Sequence, residues 1–197
     1  MMLLEARAGK YLYGSFHYPD AEDKLAKPEI AEQIKYIAKG LKKSDEYSLG
    51  FASSVMANTI KQISTNLKDI ILVPIPSSSG STEANLKLCE AIAAHIDVKI
   101  ADILTAPKAE SSYLLRKAKQ AGKTAQEISM SVLDTSPIEG VILIDNVITT
   151  GNTIYAAQRT LKDVCSKPIA VAFAIAKDPT EMAKSEFHQR VLDLAGV

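Results

Sequence analysis

Residues 141–153, Val-Ile-Leu-Ile-Asp-Asn-Val-Ile-Thr-Thr-Gly-Asn-Thr, constrain the fold of this chain more than any other stretch. Val141 to Ile144 form an apolar run without alternation, the pattern of a strand covered on both faces in a parallel sheet. Asp145 and Asn146 then stand at its carboxyl end, where open α/β sheets bind ligands. The loop Thr149-Thr150-Gly151-Asn152-Thr153 leads into a helical pattern with Ile154, Ala157, Leu161 and Val164 on one face. Such a strand, turn and helix start form an anion cradle. The first N–H groups of a helix lack partners, and the helix dipole favours negative charge there. Gly151 permits close backbone approach, the threonine hydroxyls can donate to phosphate oxygens, and the carboxylate upstream can accept from sugar hydroxyls.

The same strand-helix alternation recurs along the chain. Pro28 can start a helix carrying Ile30, Ile34, Ile37, Ala38 and Leu41. A second helix spans about 51–67, with Phe51, Val55, Thr59 and Ile63 on one face. Ile70 to Pro76 reads as a buried strand with prolines at its exit. Ser77-Ser78-Ser79-Gly80-Ser81 follow it. A helix from about Thr82 to His95 comes next, with Thr82 as its cap and Leu86, Cys89, Ala93 and Ile96 facing the sheet. Val98 to Leu104 and Ile169 to Ala176 are further strands, and a polar amphipathic helix occupies 179–194. The opening residues 1–18 suggest a short strand or hairpin.

This order predicts an α/β fold with a parallel, Rossmann-like sheet and right-handed crossovers, in one domain over 1–197. Residues 1–68 are expected as a helical N-terminal cap or hood on that sheet, 69–178 as the core, and 179–197 as a C-terminal helix.

Residues 141–153 resemble the 5-phosphoribosyl-1-pyrophosphate (PRPP) signature of type I phosphoribosyltransferases: an apolar run, two acids, two apolar residues, then Thr-Thr-Gly-x-Thr. One position departs, since Asn146 stands where the second acid belongs. The resemblance implies a phosphoribosyltransferase-type fold and a pentosyl (glycosyl) transfer from PRPP to a nitrogen nucleophile, with release of pyrophosphate. It implies that Thr149, Thr150, Gly151, Asn152 and Thr153 hold the 5′-phosphate and that Asp145 and Asn146 address the ribose. Mg²⁺ enters bound to the substrate, with Asp145 reaching it directly or through a water. The loop Pro76, Ser77, Ser78, Ser79 and Gly80 takes the place of the pyrophosphate loop, and a serine- and glycine-rich strand-to-helix turn is physically suited to that task.

Segment 105–125 gathers Lys108, Arg116, Lys117, Lys119 and Lys123 against Glu110. The family has a mobile loop here that closes with a basic residue, and Arg116 is the natural choice because guanidinium binds phosphate bidentately. The alternative is a solvated face. Together with Ile70 to Pro76 and the helix Ile30 to Leu41, these stretches are most similar to the competence protein F (ComF)-like branch. They lack its cysteine-rich N-terminal module, and Ser77 to Ala84 replace its arginine-rich segment. Two other readings stay open on the same fold: a non-catalytic PRPP- or nucleotide-binding regulator, and a ComF-like accessory of DNA uptake.

Composition narrows the partners. Lys plus Arg equals Asp plus Glu, 23 each, which argues against direct nucleic-acid binding, since phosphate neutralisation needs a basic surface. Hydrophobic residues make up 47% of the chain, enough for a sizeable core. Cys89 and Cys165 sit among apolar neighbours and are expected as buried thiols. His17, His95 and His188 share no ligand spacing, so a zinc site is not expected. Glu5 and Arg7 interrupt the first apolar stretch, and the longest apolar run is too short to span a bilayer. The expectation is a cytoplasmic protein without membrane contact. Phe16, Tyr18 and Tyr36 could seed a homodimer, and the sequence leaves the acceptor base open.

Overall fold

The apolar run at 141–144 lies in β7 (Gly140–Ile148), an inner strand of a six-stranded sheet in a computed structural model of the chain. The structure describes residues 4–5, 12–17, 28–64, 66–108, 129–134, 136–149, 151–165 and 168–175. The strands are β1 (Leu4–Glu5), β2 (Leu12–His17), β3 (Ile70–Pro74), β4 (Lys99–Ile100), β7 and β8 (Ile169–Ile175), in the spatial order β1-β2-β8-β7-β3-β4. All neighbours run parallel except β1, which is antiparallel to β2.

Why β7 has no polar alternation is plain from its two faces. Val141 and Leu143 pack with Val73, Ala170 and Ala172 under α4 (Asn152–Thr160), against Ile154, Ala157, Leu161 and Val164. Ile142 and Ile144 pack with Leu72, Val171 and Phe173 on the other face. There they meet α1 (Pro28–Leu41), α2 (Glu46–Ile63) and α3 (Glu83–Ala93) through Ile37, Met56, Ile60, Leu88 and Ile92. A polar residue at either parity would be buried without a partner, at a cost of about 1–3 kcal/mol. The result is a mixed α/β architecture of generic Rossmann-like type, with helices on both sheet faces.

Several expectations require correction. The short strand or hairpin expected within 1–18 is present as β1 and β2, but it also joins the main sheet, where β2 pairs with β8, and α2 packs directly on that sheet. The buried face of α2 is Ser48, Ala52, Ser53, Met56, Ala57, Thr59 and Ile60, whereas Phe51 is exposed and Val55 and Ile63 are half-buried. Small side chains win because α2 is crowded on both sides. A Cβ on Gly40 of α1 would collide with Ser48 Oγ, and Ser53 Oγ lies 3.2 Å from His95 Nε2 beyond α3. The buried face of α3 is likewise Asn85, Leu88, Cys89 and Ile92, with Leu86 and Ala93 only half-buried. Thr82 occupies the cap position but makes no cap bond, because its hydroxyl donates to Asp102 Oδ2 at 2.8 Å.

The expected strand 98–104 is broken in two. Lys99–Ile100 continues the main sheet as β4. Leu104–Thr105, here β5, pairs antiparallel with β6 (Ser131–Val132) in a separate ribbon. Cys89 and Cys165 are both buried and free. Among the described residues no helix is long and apolar enough to cross a membrane. The helix expected at 179–194 lies outside the described residues.

Candidate functional site

β3 and β7 are adjacent and parallel, so the loops that follow them open at the same edge of the sheet. β3 stops at Pro74, opposite Ile144, and a last hydrogen bond of 3.1 Å runs from Ile75 N–H to Ile144 O. On its other side β7 continues, with Asp145 opposite Ala172 and Val147 opposite Ala174 of β8. The sequence pattern puts Asp145 and Asn146 at the carboxyl end of the strand. They belong to it, because β8 still offers a partner there, and the notch where β3 has ended lies beside Asp145.

Asp145 is held in that notch by two donors. Its Oδ1 accepts from Asn146 N–H at 2.8 Å and from Asn85 Nδ2 at 3.3 Å. The enclosing protein outweighs these bonds and the charge of Lys42 in the α1–α2 turn. The pKa of Asp145 is pushed up to about 6, so the carboxylate is mostly charged at pH 7. Asn146 is half-buried, and its Oδ1 accepts from Val147 N–H at 2.6 Å.

Beyond β7, Thr149 is half-buried, and Thr150 lies outside the described residues. Gly151 takes φ +77°, a left-handed conformation that glycine adopts without penalty, and caps α4 with no side-chain bond. Tyr155 N–H closes on Gly151 O at 2.9 Å. Asn152 and Thr153 form the first turn of α4, which carries no acidic residue. The α4 face matches its sequence pattern: Ile154, Ala157, Leu161 and Val164 are all buried.

Beyond β3, Pro76 is buried while Ser77, Ser78 and Ser79 are exposed. This loop folds on itself. Ser77 N–H donates to Ser81 O and Gly80 N–H to Ser77 O, both at 2.9 Å, and the hydroxyls of Ser77 and Ser79 are 2.7 Å apart. Gly80 has φ +84°, and a Cβ there would lie 2.6 Å from the Ala106 carbonyl.

Asn85 does not stand out in the sequence. It is 6% exposed, and its Nδ2 donates to Ile75 O at 2.8 Å as well as to Asp145, so one amide ties both loops together. The available signal is a polar residue three and four positions before Leu88 and Cys89, on the sheet-facing side of α3.

Arg116, Lys117, Lys119 and Lys123 lie outside the described residues, whereas Lys108 is exposed. The β5–β6 ribbon brackets that basic excursion, with Leu133 N–H donating to Ile103 O at 2.8 Å. Ala176, Lys177 and Asp178 are also outside the described residues. Of the residues expected at a contact between copies, Phe16 is half-buried, stacks on Phe51 and meets Phe173 at a tilt. Tyr36 is 60% exposed beside Tyr47, and Tyr18 is outside the described residues.

Among the described residues no three of His, Cys, Asp and Glu gather as metal ligands. A single carboxylate with one oxygen already engaged suits a divalent ion only when the ligand brings most of its coordinating oxygens. No family model and no curated protein matches the chain.

Proposed function

We propose that this site binds PRPP with its Mg²⁺ and transfers the phosphoribosyl group to a nitrogen nucleophile, releasing pyrophosphate. The carrying observation is the pair of glycine-containing loops on adjacent parallel strands, opening at one edge with Asp145 between them. In this reading the uncapped start of α4, with Thr149 to Thr153, receives the 5′-phosphate. Asp145 accepts from the ribose, and Ser77 to Gly80 meet the pyrophosphate. Asp145 would reach a substrate-borne Mg²⁺ directly or through a water, and the ion would supply charge neutralisation at the leaving group.

The transition state has cationic sugar character, so catalysis comes from orientation and charge placement without a protein nucleophile. Asp145 supplies the negative charge nearest the sugar, and Arg116 would close over the departing pyrophosphate. The test is Mg²⁺-dependent pyrophosphate release from PRPP across a panel of purines, pyrimidines and ammonia. No turnover with any acceptor, together with no thermal stabilisation by PRPP and Mg²⁺, would reject the assignment.

Asn146 favours a second reading, a non-catalytic PRPP- or nucleotide-binding protein. Replacing an acid by an amide removes a charge-assisted bond of about 1–3 kcal/mol, equivalent to about one to two decades in rate. This reading expects PRPP to stabilise the wild type without turnover. An active wild type whose rate Asn146→Asp leaves unchanged would eliminate it.

A further inference from the structure

The exposed stripe of α1 is sorted by charge. Glu29 and Glu32 stand toward its start, Lys39 toward its end and Lys43 in the turn beyond, with Tyr36 between the two signs. Acids near a helix start and bases near its end suit the helix dipole, which accounts for the sorting but not for the tyrosine. Tyr36 is 60% exposed and lies against the equally exposed Tyr47 of α2, with ring centroids 6.5 Å apart. The surface of α2 beyond Tyr47, with Gly50, Phe51 and Ser54, is exposed and uncharged, and a Cβ on Gly50 would meet nothing within 4 Å. Glu32 meets Lys35 at 3.4 Å, a surface pair of little worth, and among the described residues Glu29, Lys39 and Lys43 make no ion pair. Asp45 is taken up as the cap of α2, accepting from Ser48 N–H at 3.0 Å.

Such a stripe is complementary to itself. Glu29 and Lys43 each lie seven positions from Tyr36, about 10 Å along the axis. A two-fold axis through Tyr36 sets α1 antiparallel to its copy, with Glu29 opposite Lys43 of the partner subunit and Glu32 near Lys39 of the partner subunit. The two Tyr36 rings then meet at the centre, where aromatic anchors contribute most. A parallel pairing would set like charges side by side. We infer that this face of α1 and α2 binds a second copy of the chain, in an antiparallel two-fold dimer whose register the charges set. Two short helical faces per copy make a small interface, so association is reversible, with a dissociation constant of about 10 µM. The dimer does not depend on the PRPP reading.

Sedimentation velocity on the full chain, at concentrations spanning that value, should show a monomer–dimer equilibrium that weakens as salt is raised. Tyr36→Ser should weaken it by about tenfold. Glu29→Lys with Glu32→Lys, and separately Lys39→Glu with Lys43→Glu, should each weaken self-association by more than about tenfold, because every facing pair becomes like-charged. Mixing the two reversed proteins should return association to about the wild-type level, since each then faces the opposite sign. A wild type that stays monomeric throughout, a dimer indifferent to both reversals, or reversed proteins that do not pair when mixed would each overturn the inference. So would a dimer that Tyr36→Ser leaves unchanged, an outcome that stands whether or not the reversed proteins fold.

Discussion

The loops after β3 and β7 occupy equivalent places on neighbouring strands, yet they treat a helix start in opposite ways. After β3 the loop satisfies itself: Ser77, Ser79, Gly80 and Ser81 bond to one another, and Ser81 Oγ accepts from Glu83 N–H at 3.2 Å. The first turn of α3 also carries Glu83, which pairs with Lys87 at 3.0 Å and opposes an incoming anion. After β7 the cap is Gly151, with no side chain to offer, and the first turn of α4 has no acid. Similar composition thus does not imply similar readiness. The helix start after β7 is left open by its own side chains, which is what the proposed 5′-phosphate contact would need. The β3 loop is closed by its own bonds, so under the proposed function it would have to exchange them for bonds to the pyrophosphate.

The largest effect bearing on this contrast comes from Gly80→Ala. A left-handed backbone at φ +84° and a Cβ 2.6 Å from Ala106 O together should cost about 3 kcal/mol, measured by urea unfolding. A loss below about 1 kcal/mol would mean that the β3 loop is far more pliable than its bonds suggest.

Asp145→Asn comes next, and its sign depends on pH. The folded pKa of Asp145 is raised to about 6 from an ordinary value of 3.8, so between these values the folded protein binds more protons than the unfolded chain. The Asp145 carboxylate therefore lowers stability as pH rises through that window, and the penalty is complete above pH 6. The Asp145→Asn variant should be more stable than wild type by about 2 kcal/mol at pH 7.5 and by nearly nothing at pH 3.5, while binding PRPP more weakly. Equal stability differences at the two pH values would show that the notch does not perturb this carboxyl.

Gly151→Ala should cost about 1 kcal/mol through its left-handed backbone and, more tellingly, weaken ribose 5-phosphate binding while sparing that of inorganic pyrophosphate. The smallest effect is expected from Ser81→Ala. It removes the acceptor for Glu83 N–H, at about 0.5–1 kcal/mol in thermal unfolding. The freed amide should leave pyrophosphate binding unchanged or slightly stronger; a marked weakening would mean that the Ser81 hydroxyl itself serves the ligand.

Much of this arrangement is legible in the sequence. The run at 141–144 and the face Ile154, Ala157, Leu161 and Val164 follow directly, because unbroken apolar spacing leaves one solution. For α2 and α3 the hydropathy pattern is out of phase with the buried face. Close packing there favours Ala52, Ser53 and Ala57 over the larger Phe51, and such a pattern does not register the distance between helices. Residues 98–104 hide a break because the main sheet and the β5–β6 ribbon both draw on one β-branched segment. The link from Asn85 to Asp145 is out of reach for a different reason. It exists only because β3 and β7 are neighbours, and strand order is a property of the whole sheet. The orientation of the Asn146 amide is hidden too, since a neighbouring N–H and not the side chain's identity decides it.

The pairing of β2 with β8 reaches beyond the resting molecule. Leu12 lies against Ala170 and Phe16 against Ala174, so an early segment finds its berth only after the last described strand has been made. During synthesis β2 must wait, solvated or provisionally attached through its β1 hairpin, while the ribosome delivers everything between. Such long-range closure slows the final step of assembly, and the exposed margin of β8 is the place where a nascent or heat-stressed copy would first recruit the wrong strand.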